Sequence, residues 1–315
     1  MTVRMIGADE VAERLTYDVC IPLMRDAMIV LSTGRTKQLL RGIIQLGDGN
    51  AFGVMPGAMI DGAFGAKVVS VFPGNVARGG LSHQGVITVF DPESGAVAAV
   101  VDAGSVTGVR TAAASAAATQ VLAREDAVRL AVLGTGEQAR RHVEAICAVR
   151  PLTRVTIWGR DRERARQLAE DLEAHVAESI DDAVADADIV CTVTGAPEPI
   201  LSSAQVRDGT HINAVGSSYA GPAEIANDLV LRARYFADHR EGVINQGAEF
   251  LRAKAAGLID DAHILGEIGE VFAGMRPGRT SAAEVTIYKS LGNVVQDLAC
   301  AAWLCGDDNS APALV

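Results

Sequence analysis

The spacing of apolar positions changes character twice along the chain. Residues 9–32 read as helical: Asp9 can cap 10–15, and 17–31 repeats apolar positions at three and four until Gly34 closes it. Short alternating or β-branched runs follow at 39–46, 51–55, 66–72, 86–90 and 96–102. Turn signals such as Gly47-Asp48-Gly49-Asn50 and Asp91-Pro92-Glu93-Ser94-Gly95 separate them, which predicts a mostly antiparallel sheet. A helix rich in Ala, Ser and Thr is predicted over 105–123. From about 124 the pattern alternates: strands at 128–133, 155–158, 188–193, 210–215, 234–237 and 285–288, with helices at 138–149 and 161–172. That order predicts a doubly wound parallel sheet. A stripe at Leu291, Val294, Val295, Leu298 and Ala302 predicts a last helix over 290–304, read here as core. The expected fold is α/β, with a Rossmann-type domain over 124–289. An α+β domain over 1–123 precedes it, and about 290–315 return to that first domain.

One stretch carries specific chemistry. Leu130-Ala131-Val132-Leu133 runs into Gly134-Thr135-Gly136-Glu137-Gln138-Ala139, a strand entering Gly-x-Gly-x-x-Ala with a helix behind it. The first Gly permits the tight turn, the second lets backbone approach a pyrophosphate, and the small third residue lets helix and strand pack closely. The free N–H groups of the helix would hold the pyrophosphate. The second strand ends Trp158-Gly159-Arg160-Asp161, where the ribose is read. A carboxylate there favours NAD and an Arg favours NADP. Arg160 comes first and Asp161 suits a helix N-cap, so the preferred cofactor is NADP, with NAD as the alternative. Gly134, Arg160, Thr194 and Gly216 all stand at the carboxyl ends of predicted strands, where ligands of such sheets bind.

Composition narrows the remaining classes. The chain has 315 residues, 49% hydrophobic but only 4% aromatic, enough for two domains with aliphatic cores. A net charge of −11 argues against a nucleic-acid partner. Five scattered cysteines, Cys20, Cys147, Cys191, Cys300 and Cys305, lack metal-ligand spacing and read as thiols in a reducing compartment. No metal is expected. No signal peptide or membrane span is read, so the expectation is a cytoplasmic protein without a membrane partner. Arg110 stands out in the helix over 105–123. It is placed in the first turns, where the dipole disfavours a cation unless an anion joins it. It is therefore a candidate clamp for a substrate carboxylate, against the alternative of a surface Arg.

Several stretches together resemble the ornithine cyclodeaminase/μ-crystallin family, nearest its ketimine reductase-like branch. They are Gly65-Ala66-Lys67-Val68-Val69-Ser70-Val71-Phe72-Pro73-Gly74-Asn75, Thr107-Gly108-Val109-Arg110-Thr111-Ala112-Ala113-Ala114-Ser115, the glycine turn at Gly134, Asn213-Ala214-Val215-Gly216 and Lys289-Ser290-Leu291-Gly292. The resemblance implies a homodimer joined through first-domain sheets, an NAD(P)-binding second domain and an active site between the domains. It makes the first domain the substrate-binding and dimerisation domain. It implies that Arg41, Lys67 and Arg110 surround the carboxylate of a small imino or amino acid. The candidate catalytic residues are Lys67, Arg110 and Ser218. The candidate cofactor contacts are Gly134, Thr135, Gly136, Gln138 and Arg160, then Thr192, Thr194, Val215, Gly216 and Ser290.

Three activities stay open. The leading one is NAD(P)-dependent reduction of a 2-imino acid (a ketimine) to an amino acid. The second is the lyase that converts L-ornithine to L-proline and ammonia with bound NAD. The third is a cofactor-loaded, crystallin-like binding protein. Cyclodeaminases of the family place an acid/base Asp in the pattern Gly-Asp-x-Pro-Gly-Lys; here Ser218 occupies its place and Pro222 that of the Lys. A serine hydroxyl without a partner base does not take a proton from an ammonium near neutral pH, which favours the reductase. Another carboxylate, Asp238 or Glu224, could still serve the lyase if it reached the site.

Overall fold

The structure is a computed structural model that describes residues 3–60 and 62–306, without the side chains of residues 76 and 77. The chain divides into two compact units, one up to Arg110 and resuming at Asn293, the other Thr111–Gly292.

The first unit holds a seven-stranded sheet. Its strands are β1 (Arg4–Ile6), β2 (Thr36–Gln38), β3 (Gly42–Gly47), β4 (Asn50–Met59), β5 (Phe64–Val71), β6 (His83–Phe90) and β7 (Val97–Asp102). The order is β1-β7-β6-β5-β4-β2, with β3 also on β4. Only β1 and β7 pair in parallel. The β3–β4 turn puts Gly47, Asp48 and Gly49 at positive φ (89°, 52° and 76°), as the Gly-Asp-Gly signal requires. Met55, Lys67, Ile87 and Val101 are cross-strand partners in one row, and all four are buried. Lys67 is the one buried residue of β5. The helix Val294–Cys305 packs on this sheet, and the helix Tyr17–Ser32 packs against that helix. Gly57 lets the second of them come close, since a Cβ there would lie 2.4 Å from Val294 Cγ1.

The second unit holds eight parallel strands: β8 (Arg129–Leu133), β9 (Arg154–Trp158), β10 (His175–Val176), β11 (Ile189–Thr192), β12 (His211–Ala214), β13 (Arg234–Ala237), β14 (Ile264–Glu267) and β15 (Thr286–Lys289). The order β10-β9-β8-β11-β12-β15-β13-β14 reverses direction between β8 and β11, the switch point of a doubly wound sheet. Buried Ala, Val, Leu and Ile fill its core, with Tyr235 and Phe250 the large side chains.

Several boundaries differ from those expected. The helix Ala103–Leu122 is continuous, yet the unit boundary falls inside it, at Arg110/Thr111 instead of after 123. Its later part belongs with the second sheet: Ser115 Oγ lies 3.0 Å from His142 Nε2, and Asn213 Nδ2 donates to Thr119 Oγ1 at 3.0 Å. Strands β1 and β10, of three and two residues, are too short for a period to show. Arg110 is the eighth residue of its helix, beyond the turn where the dipole acts, so the dipole does not supply its need for an anion.

Candidate functional site

In the first unit a cation pair converges on one carboxylate. Lys67 Nζ donates to Asp297 Oδ1 at 3.2 Å and to Thr107 Oγ1 at 2.6 Å. Arg110 donates from Nε to the same Oδ1 at 3.0 Å and from Nη1 to Gln296 Oε1 at 2.9 Å. Lys67 and Arg110 are each 4% exposed, and Asp297 is fully buried. Asp297 stands in the first turn of Val294–Cys305, capped by Asn293, where the dipole favours a negative charge. Burial opposes that charge, but Arg110 and Lys67 outweigh it and hold the carboxyl below its usual range. Burial moves Lys67 the other way, down to about 8; Asp297 resists and Arg110 and Arg41 assist. Arg41 is half-buried, within electrostatic reach of Lys67. His83 of β6 also lies in range of the Lys67 and Arg41 charges. An ammonium has three donors. Lys67 uses two, and no third acceptor occurs among the described residues. Arg110 Nη2 likewise makes no hydrogen bond among them.

In the second unit the carboxyl ends of β8, β9, β11, β12 and β15 carry the other candidates. Gly134 has φ 138°, and a Cβ there would strike Val193 O at 2.7 Å, so the turn demands glycine. Gly136 is the N-cap of Glu137–Cys147; no side chain caps that helix, and a Cβ at Gly136 would meet only open space. The protein itself does not need a glycine at 136, which is the arrangement that lets a pyrophosphate reach the helix N–H groups. Ala139 is fully buried under the strand, as the third small position requires. Ser290 is 2% exposed, and its Oγ has no hydrogen-bond partner among the described residues. These features fit a dinucleotide. Thr135 follows Gly134 in the turn, Gln138 lies in the first turn of the helix, and Val215 follows β12, buried.

Glu224 ties this edge together. Its carboxylate accepts from Thr192 Oγ1 at 2.8 Å, Thr194 N and Oγ1 at 2.6 and 2.7 Å, and Gly216 N at 2.7 Å. Burial raises its pKa against those donors. Asp238, also fully buried, accepts from the backbone N–H groups of His239, Leu291 and Gly292. Both carboxylates are committed to holding loops, so neither has the free oxygen a lyase base needs. Lys289, fully buried, donates to Ser217 O at 2.8 Å and lies 2.8 Å from Glu249 Oε2, which anchors the loop carrying half-buried Ser218. Asp161 accepts from Glu163 N and Arg164 N as the N-cap of Arg162–Asp171. Arg160 beside it is exposed.

A model of the ornithine cyclodeaminase/mu-crystallin family matches residues 2–310. The chain belongs to that family. Ketimine reductase mu-crystallin of Rattus norvegicus is 34% identical over 304 residues, covering 94% of each chain. Among solved structures, the Δ1-pyrroline-2-carboxylate reductase of Thermococcus litoralis in complex with NADH and L-proline has a TM-score of 0.91 at 30% identity and covers 96% of each chain. An archaeal alanine dehydrogenase dimer with bound NAD has a TM-score of 0.90 at 27% identity, over 97% of this chain and 95% of that one.

For this family member, sequence reasoning missed Asp297 and Gln296. The last helix, read from its stripe as core, is core on one side and carries both of these on another. The available signal was two adjacent polar residues inside an otherwise apolar run, Val294-Val295-Gln296-Asp297-Leu298. Lys67 sits in the buried row of its sheet. No group of three His, Cys, Asp or Glu side chains arranged to hold a metal occurs among the described residues, and no described helix is long and apolar enough to cross a membrane.

Proposed function

We propose that this chain is an NAD(P)-dependent oxidoreductase that reduces the C=N bond of a small 2-imino acid, such as Δ1-pyrroline-2-carboxylate, to the 2-amino acid. The observation that carries the reading is the buried pair Lys67 and Arg110, each with a donor left over after Asp297, Thr107 and Gln296 are served. Arg110, with Arg41, holds the substrate carboxylate through charge-assisted hydrogen bonds. Lys67 aims its remaining N–H at the imine nitrogen and gives up one proton. A nicotinamide dinucleotide, when bound, would supply the hydride for the imine carbon, so that imine plus proton plus hydride balances to amine. The residues at Gly134–Gly136 would hold its pyrophosphate, and Thr192, Thr194, Val215, Gly216 and Ser290 stand at the ends of β11, β12 and β15.

We favour NADP over NAD, because Asp161 is spent on its helix and Arg160 is exposed for a 2′-phosphate. We also favour a homodimer formed through the first-unit sheet. Every residue of β3 is exposed, including Ile43, Ile44 and Leu46, an apolar edge that a solitary sheet would leave in water. The lyase reading has less support, since Ser218 stands in place of an acid and Glu224 and Asp238 are committed. The test is to mix the protein with cyclic and acyclic 2-imino acids plus NADPH or NADH and follow the nicotinamide absorbance. Substrate-dependent loss of that absorbance is expected; its absence with every imino acid tried would overturn the reading.

A further inference from the structure

Asp297 has no role in the proposed reaction, and its setting is costly. It is fully buried, and its Oδ2 has no hydrogen bond among the described residues. A buried polar oxygen left unmade works against stability, and a buried ion pair is often replaceable by apolar residues without loss. A carboxylate kept only for stability would have both oxygens satisfied. Here Oδ1 takes both cations and Oδ2 takes none.

Geometry shows what Oδ1 does. Lys67 extends from β5, and Thr107 and Asp297 fix two of its three N–H directions. Tetrahedral nitrogen then leaves one direction for substrate. The same oxygen fixes Arg110 at Nε, so its Nη2 edge is presented in a constant orientation relative to Lys67. The charged and titratable groups facing Lys67 are Asp297 from the last helix, Arg110 from Ala103–Leu122, Arg41 ahead of β3 and the His83 imidazole from β6. Asp297 is the only anion among those four.

We propose that Asp297 is a positioning residue: its single charge keeps Lys67 an ammonium and its Oδ1 sets the angle between Lys67 and Arg110, so that one proton and one carboxylate clamp are ready together. This rests on the proposed reading of Lys67 as the proton donor. Without the Asp297 charge, two guanidinium groups and burial would drive the ammonium to neutral amine at lower pH.

The test is the pH profile of kcat/KM for imine reduction by the full-length protein, run for the parent, Asp297→Asn, Asp297→Glu and Lys67→Met with one substrate. The ionisation of the substrate is then common to all. The parent should lose activity as pH rises through about 8. Asp297→Asn should lose it about one pH unit lower or more, the scale of removing an opposite charge at contact, with the NADPH dissociation constant within about two-fold of the parent. Asp297→Glu, which keeps the charge, should hold its limb within about half a unit of the parent. An Asp297→Asn limb that coincides with the parental one overturns the inference. If Asp297→Asn does not fold, Asp297→Glu decides: an unmoved limb supports the inference, and a limb lowered by about a unit overturns it. Lys67→Met separates the two layers. If it is inactive while Asp297→Asn keeps the parental limb, the role of Asp297 fails and the reading of the site stands; if it keeps parental kcat/KM, the reading of the site itself fails.

Discussion

Arg110 donates from Nε to Asp297 Oδ1 at 3.0 Å, across 187 positions of sequence and with both side chains out of solvent. The bond joins the helix that follows the first sheet to the helix that ends the described chain. It gives Arg110 a structural partner as well as a proposed substrate role, and the two roles predict separable effects.

Arg110→Ala should lower catalytic efficiency by roughly 2–5 kcal/mol of transition-state binding, at least about 30-fold, through loss of the carboxylate clamp. It should also destabilise the first unit by up to roughly 3–5 kcal/mol, because Asp297 keeps its buried charge with Lys67 alone. Adding Asp297→Asn should recover part of the stability and none of the activity. Steady-state kinetics and denaturant melts of the three proteins check this; unchanged efficiency in Arg110→Ala contradicts it.

The proposed preference for NADP rests on the exposed side chain of Arg160. Arg160→Ser should raise the dissociation constant for NADPH about ten-fold, the worth of one charge-assisted contact, and leave that for NADH within about two-fold. Asp161→Ala should cost about 1 kcal/mol of stability as a lost N-cap, with no change in the NADPH/NADH ratio. Titration of the two reduced cofactors by fluorescence decides; tighter NADH binding by the parent defeats the assignment.

Lyase chemistry should be absent. L-ornithine with catalytic NAD should yield no ammonia, because Ser218 is no base and Glu224 and Asp238 serve backbone N–H groups. Glu224→Gln should weaken NADPH binding, since an amide cannot accept all four donors and the Thr194 and Gly216 turns would shift. An ammonia assay and cofactor titration test these points. Ornithine-dependent ammonia release by the parent would show a base that this account lacks.

Acid should destabilise the second unit ahead of its carboxylates. Burial pushes His142 down to about 4 and, with the Arg279 charge next, His211 down to about 3, both from 6.5. The folded state therefore keeps both rings neutral while the unfolded chain protonates them. The sign follows: this stability is present above pH 6.5 and is lost as pH falls from 6.5 toward 4 and 3. The His142 share is roughly 3 kcal/mol. Urea melts between pH 7 and 4 should show the decline, and His142→Asn should flatten it; an equal slope in both proteins rules this origin out.

What could be seen in the sequence follows from the distance over which each signal acts. The Gly134, Gly136 and Ala139 turn is a local device, readable from six residues, and the structure gives each position its expected surroundings. The parallel sheet followed from strand and helix alternation. Lys67 drew attention through the stretch around it, but its burial depends on the register of β4, β5 and β6. Asp297 was hidden because its partners lie 187 and 230 positions away and its helix is otherwise apolar. The committed state of Glu224 was equally invisible, since its donors come from the ends of two different strands.

The most direct measurement follows the hydride itself. The protein is incubated with Δ1-pyrroline-2-carboxylate and NADPH deuterated at C4 of the nicotinamide, on the face that transfers. Mass spectrometry and NMR of the product should show proline carrying one deuterium at Cα for each cofactor oxidised. Proline formed without deuterium at Cα, or no proline from the imine while ornithine releases ammonia, would contradict the account.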